Sequence, residues 1–150
     1  ILELLSWMPY TSGFVFCESV MRVLSGIMVK AELKHWCAII DTLAKTIVTW
    51  AVQADNQNYT DWIFEEYLNT PLEGIWFLTL QLERYFLAAL QQYHFHPQVL
   101  NKILDYYVKL DVIVTELGFP VFFFPPAPFI LSVLVQGDLV ATHRIALLLI

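Results

Sequence analysis

The chain is short of charge. Asp, Glu, Lys and Arg make up 15% of its 150 residues, where an ordinary soluble domain carries about a quarter. The eight Lys and Arg are scattered and the formal net charge is −6. A phosphate backbone is gripped by clustered basic side chains, so no direct DNA contact is expected of this segment. Cysteine is scarce too. Cys17 and Cys37 are the only two, which excludes a disulfide framework and reads as reduced, buried thiols. The five glycines are isolated, so no Gly-rich loop can cradle a phosphate. A membrane-spanning helix needs about 20 apolar residues in a run. The longest uncharged run, Leu117 to Gly137, contains Pro120, Pro125, Pro126 and Pro128, which no single helix tolerates.

Apolar residues are in excess. They make up 58% of the chain, above the usual level of about 45–50%. With no membrane span to use them, the excess points to a piece of a larger body with surface left to cover. The apolar runs at the two ends, Ile1 to Leu5 and Ile145 to Ile150, lead to the same expectation, because chain termini usually lie polar at a surface. The length suffices for one domain with its own core.

The pattern is helical almost throughout. Leu33, Trp36, Ile40, Leu43, Ile47 and Trp50 recur at three and four residues and mark one face of a helix over 33–51. Leu100, Ile103, Tyr107, Leu110, Val114 and Leu117 mark another over 97–117. Asp105 and Lys109 stand four apart with the acid first, the favoured order for a surface pair. Pro97 suits the first helical position, and Gly118 suits a left-handed stop before Pro120. Thr70-Pro71-Leu72-Glu73 reads as a capping box opening a helix that runs to about Gln92. Ile75-Trp76-Phe77-Leu78 in that helix is apolar on nearly every side, which predicts burial. Further helices are expected near Val15–Met28, Trp62–Leu68, Phe129–Gln136 and Val140–Leu149, with Gly137-Asp138 as stop and cap between the last two. The fold class is therefore all-α. Long helices with short loops pack as antiparallel pairs, here about 12–54 and 70–118, followed by C-terminal helices at about 129–149. Each pair is close to the ~40–47-residue unit of HEAT-type solenoids. Residues 1–150 thus read as a single helical-repeat segment.

No chemistry assembles along the chain. His94-Phe95-His96 presents both imidazoles on one side only if extended. Zinc takes three or four ligands, and no adjacent Cys, Asp or Glu completes a set, so the segment reads as a polar interhelical turn. His35 and Cys37 are two apart and point to different sides of a helix. Glu65-Glu66 reads as a solvated face, and Asn58-Tyr59-Thr60 as a chance glycosylation sequon. No catalytic, cofactor-binding or metal residue is predicted. Phe119, Phe122, Phe123, Phe124 and Phe129 form a separate problem. They either plug the gap between helix pairs or line an exposed groove, since large apolar patches mark interfaces. The plug is favoured, because clustered aromatics are more often core.

Taken in order, local features spread over nearly the whole chain resemble the C-terminal part of the centromere protein I family. They are Leu4-Leu5-Ser6-Trp7-Met8-Pro9-Tyr10, Pro71-Leu72-Glu73 at a helix start, Ile103-Leu104-Asp105-Tyr106-Tyr107, and Phe124-Pro125-Pro126 with an apolar helix behind it closing near His143-Arg144. The resemblance implies a non-enzymatic helical-repeat scaffold of the inner kinetochore in the nucleus. It also implies centromere proteins H, K and M as partners and a role in kinetochore assembly and chromosome segregation. Two other readings remain: an unrelated helical-repeat adaptor, and a helical protein enclosing an apolar ligand among its Phe and Trp side chains.

Overall fold

The computed structural model describes residues 2–10, 12–56, 71–118 and 123–150, with the side chains of Asp55, Asn56 and Leu117 excepted. Every regular element among the described residues is helical: α1 (Leu2–Leu5), α2 (Gly13–Phe16), a π-turn (Cys17–Met21), α3 (Arg22–Met28), α4 (Leu33–Asn56), α5 (Pro71–Gln92), α6 (Pro97–Leu117), α7 (Ala127–Gln136) and α8 (Leu139–Leu148). The expected all-α class is what the structure has. The helix expected at Trp62–Leu68 and the Thr70 cap lie outside the described residues, as do Glu65, Glu66 and the Asn58 sequon.

Local chemistry sets the helix ends. Pro97 opens α6, and the His96 side chain caps it by accepting from the Gln98 N–H at 3.2 Å. Gly118 closes α6 at φ 64°, and Gly137 closes α7 at φ 70°. Asp138 caps α8 by accepting from the Ala141 N–H at 2.9 Å. Helix α7 starts at Ala127 rather than at Phe129. Pro128 falls in its first turn, where the missing N–H would have had no helical partner. The expected Val15–Met28 helix begins at Gly13 and is interrupted by the π-turn. At that turn the Ser19 hydroxyl donates to the Val15 carbonyl.

The chain divides into two compact units, Ile1–Leu82 and Glu83–Ile150. The boundary falls inside α5, so the first turns of that helix serve one unit and its last turns the other.

Trp50 on α4 is the centre of the first unit. Its ring is buried and meets Tyr10 and Phe16 edge-on at centroid distances of 5.3 and 4.9 Å. The N-terminal segment runs alongside α4 in the same direction. Thr46 donates to the Leu5 carbonyl at 3.2 Å, Thr49 to Ser6 at 2.8 Å and the Trp50 indole N–H to Met8 at 3.2 Å. The Tyr10 N–H then donates to Gln53 at 2.8 Å. Two glycines permit close approach here. A Cβ on Gly13 would lie 2.8 Å from the Gly74 Cα, and one on Gly74 would lie 2.3 Å from the Tyr10 ring.

The second unit is built on α5 and α6. Phe86 meets Tyr106 at 5.4 Å and Tyr107 at 6.1 Å, both edge-on. Glu83, one turn earlier on α5, interacts with Tyr107. Helix α8 packs on α6 and α7. Arg144 donates to Asp105 at 2.6 Å and to Asn101 at 2.9 Å. Asp105 is therefore engaged from α8 and not by Lys109 on its own helix. One guanidinium nitrogen of Arg144 holds the Asp105 carboxylate while the other is fixed on Asn101, so the planar fork bridges two residues of α6.

Candidate functional site

The titratable residues are dispersed. Cys37 is buried, as expected. Cys17, the first residue of the π-turn, is only half-buried. Burial, with the Glu18 carboxylate adding to it, raises the Cys17 thiol above its ordinary value, which keeps it protonated and unreactive. His35 is exposed, with Nδ1 4.0 Å from the Glu32 carboxylate. The His94-Phe95-His96 segment is a tight turn and not an extended strand. His94 and Phe95 are both left-handed, at φ 50° and 56°, and the Phe95 N–H donates to Leu90 at 2.8 Å. Among the described residues no group of three or more His, Cys, Asp or Glu is placed to hold a metal ion.

One polar pair was not legible as such. Tyr107 falls on the apolar stripe of α6, and its hydroxyl is enclosed without a formed hydrogen bond. The Glu83 carboxyl from α5 is its polar neighbour. Burial raises Glu83 above the usual carboxylate range, and Tyr107 partly offsets that. Burial pushes the Tyr107 phenol well up, and Glu83 adds to the effect. The stripe position of Tyr107 signals burial. Nothing in the sequence joins it to a carboxylate one helix away.

The surface is more informative than the titratable groups. In the first unit Trp7 is 78% exposed, with Leu4 exposed beside it. The backbone carbonyls on either side of Trp7 are tied to α4 by Thr49 and Trp50. The indole is thus held outward by an ordered segment, at little further cost in conformational entropy on binding. Trp76 and Leu80, four apart on α5, are also exposed. The expected burial of Ile75-Trp76-Phe77-Leu78 therefore holds for Ile75 and Leu78 and fails for Trp76. One side of this stretch of α5 is left open.

In the second unit one cluster of exposed apolar side chains lies at the turn between α7 and α8. Leu134, Val135, Leu139 and Val140 flank Gly137-Asp138, and Val135 and Leu139 are each 83% exposed. Helix α7 carries no charged residue. Among the phenylalanines, Phe129 is fully buried and is a plug, while Phe124 is 48% exposed. Phe123 is half-buried, and Phe119 and Phe122 lie outside the described residues. Among the described residues no helix is long and apolar enough to cross a membrane.

The chain matches no protein-family model and no curated protein.

Proposed function

We propose that this chain is a non-enzymatic helical scaffold whose exposed apolar side chains bind partner proteins. The observation that carries the reading is the set of aliphatic side chains, Leu134, Val135, Leu139 and Val140, left in solvent around the α7–α8 turn. Exposed apolar clusters of this kind mark interaction surfaces. Trp7 offers a second contact, of the residue type that most often anchors an interface. The helices are read further as a fragment of a HEAT-like α-solenoid, on the lengths and pairing of the elements.

The inner kinetochore is the setting we propose, with centromere proteins H, K and M as partners. That part of the reading rests on the resemblance of the Leu4–Tyr10, Pro71–Glu73, Ile103–Tyr107 and Phe124–Pro126 segments to the centromere protein I family.

The test is affinity capture from nuclear extract with the tagged wild-type chain, a Trp7→Asp variant and a Val135→Asp/Leu139→Asp variant. Recovery of centromere proteins H, K or M by the wild type, with loss in either variant, supports the whole reading. Equal recovery by all three folded chains removes these surfaces from it. Recovery of none removes the kinetochore.

A further inference from the structure

We draw no further inference here: the strongest candidate, the exposed aliphatic patch at the α7–α8 turn formed by Leu134, Val135, Leu139 and Val140, carries nothing beyond the scaffold reading because nothing in the structure shows what covers it.

Discussion

The two units of this chain share edge-on aromatic contacts and differ in what accompanies them. In the first, side chains of α4 reach specific backbone carbonyls of residues 5–8, and two glycines let Gly13 and Gly74 approach at a distance no side chain would allow. In the second, aromatic rings of α5 and α6 fill the core, a tyrosine hydroxyl is enclosed with the Glu83 carboxyl as its polar neighbour and no hydrogen bond formed, and one arginine ties α8 to α6. Directional contacts fix one arrangement and punish added volume. Aromatic packing tolerates a missing polar atom and suffers most from lost volume.

The largest effect should come from the centre of the first unit. Trp50→Ala removes a buried ring, its edge-on contacts and the hydrogen bond to Met8. A loss of about 3–5 kcal/mol in urea-denaturation stability is expected. A loss under about 1 kcal/mol would mean that Trp50 is not the hub.

Glycine substitutions separate close approach from mere flexibility. Gly74→Ala drives a methyl into the Tyr10 ring and should cost about 1–3 kcal/mol. Gly26→Ala lies in the same unit, in α3, with open space where its Cβ would be. It should stabilise by roughly 0.5–1 kcal/mol, the helix-propensity difference alone. Thermal melts of the two variants should move in opposite directions, and equal shifts would contradict the packing argument.

In the second unit the polar pair gives smaller effects of unusual sign. Tyr107→Phe removes an enclosed hydroxyl with no formed hydrogen bond, so it should be neutral or stabilising by up to about 1 kcal/mol. A clear loss would show that the hydroxyl is satisfied. Glu83 has its folded-state pKa raised, so the native state binds its proton more tightly than the unfolded chain does. Its favourable contribution is complete below the unfolded carboxyl range, near pH 4, and is lost as pH rises through the higher folded value. Wild-type stability should therefore fall relative to Glu83→Gln as pH rises through that window. Parallel stability–pH curves would contradict the shift.

Much of the fold was legible in the sequence, and the parts that were not share a cause. The extents of α5 and α6 followed from periodicity, Pro71, Pro97 and Gly118, all of which act within a turn of where they sit. What failed depended on distant residues. Asp105 was paired with Lys109 by spacing, yet Arg144 takes it from another helix. Ile75-Trp76-Phe77-Leu78 looked buried on every side, but composition alone does not supply a neighbour for Trp76. The path of residues 5–10 along α4 had no signal beyond the three- and four-residue spacing of Thr46, Thr49 and Gln53, polar residues whose partners lie 41 or 43 positions away. For the candidate surface, the sequence supplied an excess of apolar residues. It could not say that Val135 and Leu139 would be outside while Phe129 and Val133 were inside.

Surface substitutions should change stability least. Trp7→Asp and Val135→Asp/Leu139→Asp touch no core contact and should leave the melting curve close to wild type, within about 0.5 kcal/mol per site. That makes them clean probes of binding. The most direct measurement is size-exclusion chromatography of the purified chain mixed with purified centromere proteins H, K and M. The scaffold reading predicts co-elution as one complex, lost in one or both surface variants while their folds persist. A folded wild-type chain that elutes alone would contradict it.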